Sequence, residues 1–171
     1  MKLLPFTLLL QTCFSVYAAS DASGEYNDAD EAALPYVEIQ YATDFSQLAQ
    51  IARTQDKIIM LEVSASYCEY CDLLEEEFIK PMLRNDDYNA TVLIRKIDMD
   101  SYYQIRDFSG DAITPYEFTR HLKVKLTPTL LFLDANGNEV SQRILGINSL
   151  ELYGGYIDEA LNSGLLKIKS Q

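Results

Sequence analysis

Three observations in the 171 residues predict an α/β fold with a central mixed sheet flanked by helices. Strand-length apolar runs alternate with segments of helical periodicity. One run, Ile58-Ile59-Met60-Leu61, is continuous, as in a strand buried on both faces of a sheet. An Asn-Gly pair, Asn136-Gly137, separates two later runs, the strongest short-range signal for a hairpin. The predicted order is β-α-β-α-β-α-β-β-α.

Each element has a local cause. Tyr36 to Tyr41 suits a first strand. Asp44 is placed to cap a helix whose Phe45, Leu48, Ala49 and Ala52 recur at i, i+3, i+4 and i+7, ending near Lys57. After the Ile58 run, Leu74 and Phe78, with Leu73 beside them, predict a second helix opening at Cys68, which Pro81 should break or kink. Thr91 to Ile97 is rich in branched residues and reads as a strand, and Asp107 to Asp111 as a loop. Thr114-Pro115-Tyr116-Glu117 is a capping box with proline at the first helical position. Thr129 to Leu133 and Val140 to Leu145 form the hairpin. A last helix is expected from Ser149 to Asn162, with Leu150, Tyr153, Ile157 and Leu161 on one face and Gly164 just beyond its end.

Lys2, the apolar stretch Leu3 to Leu10 and the small residues around Ala18-Ala19 read as a secretory signal peptide over residues 1–18. Gln11, Thr12 and Ser15 interrupt it too early for a membrane span, which needs about 20 apolar residues. Cys13 lacks the small residue expected before a lipidated cysteine and is expected to leave with the signal. Residues 19–35 carry Asp21, Glu25, Asp28, Asp30 and Glu31 among small residues and read as a flexible acidic leader, with one domain over 36–171. Asp and Glu outnumber Lys and Arg by 26 to 14, so nucleic acid and anionic membrane surfaces are excluded as expected partners. A monomer is expected.

Cys68-Glu69-Tyr70-Cys71 carries the chemistry. At this spacing, on the first turn of a helix after a strand, two thiols can close into a small disulfide and reopen by exchange. A structural staple is a poor use of the spacing, because closing two intervening residues removes little unfolded-chain entropy. A zinc site wants about four Cys or His ligands. Beyond residue 18 there are two cysteines and one histidine, His121, whose spacing suggests no ligand. No metal and no separate cofactor are expected.

With its C-x-x-C opening the second helix, Thr127-Pro128-Thr129 entering a Phe-Leu-Asp-x-x-Gly hairpin and Gly146 following, the chain resembles the thioredoxin superfamily, most closely secreted SoxW-type thioredoxins, over residues 36 to 162. The resemblance implies that Cys68 is the exposed nucleophile, Cys71 the resolving thiol and Pro128 a cis-proline against the disulfide. It also implies that the Thr127 backbone pairs with a bound peptide and that Gly146 keeps the peptide groove open. Tyr67 stands where tryptophan is usual, and Glu69-Tyr70 where Gly-Pro is usual, so these three residues are expected to alter substrate contacts. Tyr102, Tyr103, Phe108 and Tyr116 are assigned to core packing, with a binding surface as the alternative.

Glu62, six residues before Cys68, is an acid in an otherwise apolar strand. If buried, its pKa should rise and it could exchange a proton with Cys71; an edge strand would instead leave it in solvent. Lys96 matches a lysine near that acid in the family. The expected function is a secreted or periplasmic thiol-disulfide oxidoreductase that reduces exported proteins, recharged by a membrane electron donor. A client-binding module of the cytochrome c maturation type and a copper or zinc carrier are the non-enzyme alternatives.

Overall fold

The structure is a computed structural model describing residues 34–170. The expected signal peptide and nearly all of the expected acidic leader lie outside the described residues.

Strand β1 (Ile58–Ser64) is buried at every position, and the sheet is built around it. It pairs in parallel with β2 (Val92–Asp98), from Ile58 opposite Val92 to Ser64 opposite Asp98. On its other side it runs antiparallel to β5 (Thr129–Leu133), with Val63 opposite Thr129. A short β6 (Ile144–Leu145) completes the order β2-β1-β5-β6. Burial on both faces explains the continuous apolar run, since alternate residues feed two cores. Ile58 and Met60, with Leu130 and Phe132, face Leu74, Ile79, Tyr153, Ile157 and Leu161. Ile59, Leu61 and Val63, with Leu131 and Leu133, face Phe45, Leu48, Ala52 and Phe118.

Helix α1 (Phe45–Gln55) starts where Asp44 accepts a hydrogen bond from the Gln47 N–H and ends at Asp56 in the left-handed region. Helix α2 (Glu69–Leu74) passes through a π turn, Glu75–Ile79, into α3 (Lys80–Leu83). Pro81 was expected to break or kink this helix, but the chain stays helical through it. The ladder widens just upstream, the Lys80 N–H reaching back to Glu75. The remaining elements are α4 (Asp86–Thr91), the two-residue strands β3 (Ile105–Arg106) and β4 (Ala112–Ile113), α5 (Pro115–His121) and α6 (Leu150–Lys169). The capping box of α5 forms as expected between Thr114 and Glu117.

Several boundaries differ from expectation. The Tyr36–Tyr41 segment forms only an isolated bridge, Tyr41 opposite Lys96, with the Lys96 N–H on Gln40 O and the Ala42 N–H on Lys96 O. The return of the hairpin is regular strand only at Ile144–Leu145, although the Val140 N–H still bonds Phe132 O. Helix α6 continues through Gly164 to Lys169. A side chain at 164 would lie 2.8 Å from Ile58 Cδ1 and 2.9 Å from Val140 Cγ2, so this glycine permits close packing rather than ending the helix. Of the aromatics assigned to the core, Phe108 packs there, its ring 5.3 Å from that of Phe45. Tyr102 and Tyr116 are exposed instead and Tyr103 is partly so.

The hairpin turn is held by Asp134, whose carboxylate accepts from the Asn136 and Asn138 N–H groups. Gly137 sits in it at φ +80°, where an added Cβ would lie 2.6 Å from the Phe108 ring. Gly137→Ala should therefore cost about 1–3 kcal/mol of stability, from backbone strain and displacement of Phe108. Urea unfolding measures it, and parental stability would refute the account.

Candidate active site

The site lies where β1 leaves the sheet. Because β5 is antiparallel to β1 and Val63 faces Thr129, the loop to Cys68 and the residues Thr127-Pro128 share one end of the sheet. Cys68 is the N-cap of α2: its carbonyl accepts from the Asp72 N–H at 3.1 Å, and its sulfur from the Cys71 N–H at 3.2 Å. Cys68 and Cys71 are joined by a disulfide with Cα atoms 5.2 Å apart. Helical geometry makes the two unequal, since Cys68 is half-buried at the cap while Cys71, on the inner face of the first turn, is 1% exposed.

Around the disulfide, Tyr67 is fully exposed, and Glu69 and Tyr70 also face solvent. The Thr127–Pro128 peptide bond is cis and Pro128 is buried. The Gly146 N–H donates to Pro128 O at 2.9 Å, so β6 closes against the proline. Gly146 has φ +61°, and a Cβ there would meet nothing within 4 Å; any side chain would project into open space beside Pro128.

A second loop is tied to the same end of the sheet. The Asp100 carboxylate accepts from the Ser66 N–H at 3.1 Å and from the Ser66 hydroxyl, and the Met99 N–H donates to Ser64 O. These bonds hold the Asp100 carboxyl below its ordinary pKa. They also set the 99% exposed Tyr102 on the loop bound to the residue before Tyr67. The sequence reading missed this clasp, because Ser66 and Asp100 are 34 positions apart and neither stands out alone.

Glu62 lies on the central strand, fully buried, with both carboxylate oxygens unpaired; the solvated edge position is thereby excluded. It shares its face of β1 with Ile58 and Met60, the face covered by Leu74 of α2, three residues on from the buried Cys71, and by Tyr153, Ile157 and Leu161 of α6. Burial pushes its pKa up to about 8, and the Glu75, Asp98 and Asp72 carboxylates push the same way. Lys96 is the register neighbour of Glu62 on β2, and its charge opposes the rise. Its ammonium nevertheless bonds Glu75 at 2.6 Å and lies 5.0 Å from the centre of the Tyr41 ring. Burial alone would lower the Lys96 pKa, but the hydrogen bond and charge of Glu75 hold it above the ordinary value. Glu75 went unnoticed in the sequence; the signal for it was an acid four residues after Cys71, on the stripe that includes Leu74 and Phe78.

Two consequences can be measured. The folded protein holds the Glu62 proton more tightly than the unfolded chain, from the ordinary value of 4.5 up to about 8. The stability this contributes is complete below the unfolded value and is lost as pH rises through the folded one, on the order of 3–5 kcal/mol in all. Glu62→Gln should remove that loss and exceed the parent in urea resistance at pH 8.5, and an unchanged pH profile would contradict the burial argument. Glu75→Gln removes a nearby carboxylate and releases Lys96, so the Glu62 midpoint should fall, as read by carboxyl NMR; a midpoint that stays or rises would show that Glu75 does not set it.

Among the described residues no three His, Cys, Asp or Glu side chains group as metal ligands, and no helix is long and apolar enough to cross a membrane. The sequence model of a thioredoxin-like domain family matches residues 45–160. Among curated proteins, the thiol:disulfide interchange protein DsbD of Tatumella citrea is 29% identical over 120 residues, 69% of this chain and 18% of that protein. DsbD of Pseudoalteromonas atlantica is 26% identical over 119 residues, with the same coverage. The chain thus spans under a fifth of the length of these relatives. Among solved structures, the Malassezia sympodialis thioredoxin superposes with a TM-score of 0.52 at 17% identity, over 77% of this chain and 94% of that one. A poplar thioredoxin h gives 0.52 at 22% identity, over 72% and 96%. These two likenesses show the fold. With the family's sequence model covering residues 45–160, which include the Cys68-Cys71 disulfide, the chain belongs to the thioredoxin-like domain family.

Proposed function

We propose that this protein is an exported, secreted or periplasmic, reductase of disulfides in other exported proteins, working through the Cys68-Cys71 couple. The observation that carries the proposal is Glu62, a buried and unpaired carboxyl on the face of the central strand on which α2, the helix that bears Cys71, packs through Leu74. The signal-like residues 1–18 and the acidic leader to residue 35 support export, with residues 36–171 as the working domain. An electron donor at the membrane would restore the dithiol, and no cofactor beyond the disulfide is required.

The chemistry balances within the dithiol. The Cys68 thiolate attacks one sulfur of a substrate disulfide, whose other sulfur leaves as a thiolate and takes a proton from water. Cys71 then gives its proton to the Glu62 carboxylate and attacks Cys68 Sγ. The second substrate sulfur is released, and the Cys68-Cys71 disulfide holds the two electrons' worth of oxidation. With a pKa of about 8, Glu62 is ionised in roughly one molecule in ten at pH 7 and can both accept and return the proton. The substrate is placed by the Thr127 backbone beside Pro128, with Gly146 leaving the groove open and Tyr67, Glu69 and Tyr70 on the rim.

Direction follows from charge. The start of α2 favours a Cys68 thiolate by about 0.3–1 kcal/mol, while Glu69 and Asp72 in its first turn oppose it. Glu75 and Glu62 add acid behind the disulfide, where water screens less. A thiolate that is not stabilised makes the reduced form a ready electron donor, which is the reducing direction.

Equilibration with glutathione tests this. A potential at or below about −230 mV is expected, and one between about −120 and −180 mV would make the protein an oxidant or isomerase. Cys68→Ser should abolish reduction of a generic protein disulfide, and Cys71→Ser should accumulate the mixed disulfide with substrate. If the parent forms mixed disulfides but reduces no generic substrate, the protein is a client-holding module instead.

A further inference from the structure

One buried titratable group has no part in this chemistry so far. Tyr153 of α6 is 1% exposed, and its hydroxyl has no hydrogen-bond partner. A buried hydroxyl or carboxyl left unpaired costs about 1–3 kcal/mol. Among the described residues, three of the four such side-chain atoms belong to Glu62 and Tyr153. The fourth, Ser141 Oγ, is on the return of the hairpin, a strand away from β1 beyond β5.

The two groups share one dry layer. Tyr153 packs in the core on the Ile58 and Met60 side of the sheet, the side on which Glu62 projects. Its ring is fixed against Phe78, centroids 4.9 Å apart. Leu74 of α2 and Phe78 of the π turn that follows it both pack on this core, Phe78 against Tyr153, so the helical segment that begins beside Cys71 and α6 cover the side of the sheet on which Glu62 projects.

Other partners for Glu62 are already engaged. On β2, the Lys96 ammonium is held by Glu75 and the Asp98 carboxylate by the Tyr41 hydroxyl at 3.0 Å. On α2, Asp72 is exposed, Glu75 is paired with Lys96, and Cys71 is in the disulfide. On β5 the register neighbour is Leu130. Among the described residues on these elements and on α6, Tyr153 carries the one uncharged side-chain group that is buried with its polar atom unpaired. The Glu62 carboxylate is also the one charge that, after burial itself, raises the Tyr153 phenol above its ordinary pKa.

We propose that Tyr153 is a positioning residue for the Glu62 proton: its hydroxyl accepts a hydrogen bond from the protonated acid and donates one to the carboxylate that receives the Cys71 proton. This rests on the reading of Glu62 as that proton's acceptor. A hydroxyl suits the role because one atom serves both states. The ring is held by Phe78, so the flexible Glu62 side chain is the member that swings. Donation to a carboxylate is stronger than acceptance from a neutral acid, so Tyr153 favours the ionised form that resolution needs.

The test combines two readouts on the parent, Y153F and E62Q. Carboxyl carbon NMR on the oxidised protein follows Glu62 directly, and stopped-flow release of glutathione from a Cys68 mixed disulfide follows resolution against pH. In Y153F, which keeps the ring, the Glu62 midpoint should rise by about half to one pH unit, from the difference between charged and neutral hydrogen bonds. Resolution at pH 7 should slow by about three- to tenfold and converge with the parent at high pH. In the parent, the Tyr153 Cζ resonance should move with the Glu62 midpoint, and in E62Q it should not; this holds whether or not Y153F folds well. An unchanged midpoint in a Y153F protein that melts like the parent, or a Tyr153 Cζ signal indifferent to Glu62, overturns the proposal. If E62Q leaves the pH profile of resolution unaltered, the acceptor reading of Glu62 falls and the positioning role with it, whereas the Cζ signal still reports whether the two groups touch.

Discussion

The burial of one carboxyl organises this molecule. Glu62 occupies a position on the innermost strand where every neighbour in sequence is apolar and both faces are covered, the most costly place to put an acid. An ionised carboxylate there is disfavoured so strongly that the group keeps its proton past neutrality. The rest of the site is arranged around that fact. The helix bearing the cysteines lies over the acid, the nearest cation is diverted to Glu75, and the end of the strand is sealed by Pro128 and the Gly146 turn. Replacing Glu62 by leucine would give a better core and a poorer place for a proton, which is why the acid reads as functional.

The two cores divide the labour. On the side of α1 and α5 the sheet is covered by Phe45, Phe108 and Phe118, with centroids 4.2 Å apart for Phe45 and Phe118. The opposite side holds Glu62 and Tyr153 among apolar neighbours, with α2 packed over it through Leu74. Burial of Glu62 keeps that face a low-dielectric environment, so the acid's own surroundings set its proton affinity. The apolar surroundings of Glu62 are a consequence of a strand buried on both sides.

Legibility in the sequence followed the range of the interaction. The capping box at Thr114, the Asp44 cap and the apolar period of α1 are local, and each appears where its residues are. The C-x-x-C at the start of a helix after a strand pointed to the disulfide, and the resemblance to thioredoxins, with the apolar run around the acid, pointed to Glu62, whose burial the residues alone left open. What was not legible depended on tertiary contact. The Tyr36–Tyr41 segment has strand-forming residues but lies at the sheet's edge and pairs at one point. Gly164 reads as a stop signal until Ile58 and Val140 are seen to need the space. Tyr102 looks like core until the Asp100 to Ser66 clasp turns its loop outward. Tyr153 was legible as a core position on the last helix, but its unpaired hydroxyl was not.

Charge placement links the fold to the direction of the chemistry. Glu69 and Asp72 stand in water at the start of α2, where screening keeps their effect on Cys68 small. Glu62 and Glu75 lie behind the disulfide, largely shielded from solvent, and their influence does not fade in the same way. Lys96 neutralises Glu75, so the acid whose charge changes within the working pH range is Glu62. When Glu62 is protonated, a thiolate formed at the site has one less negative neighbour; when it is ionised, that thiolate is less stable and the reduced pair is the stronger electron donor. The tendency to donate electrons should therefore be coupled to pH through a single buried residue, and the elements that set that residue's proton affinity, from Glu75 on the π turn to Tyr153 on the last helix, belong to the redox site as fully as the cysteines do.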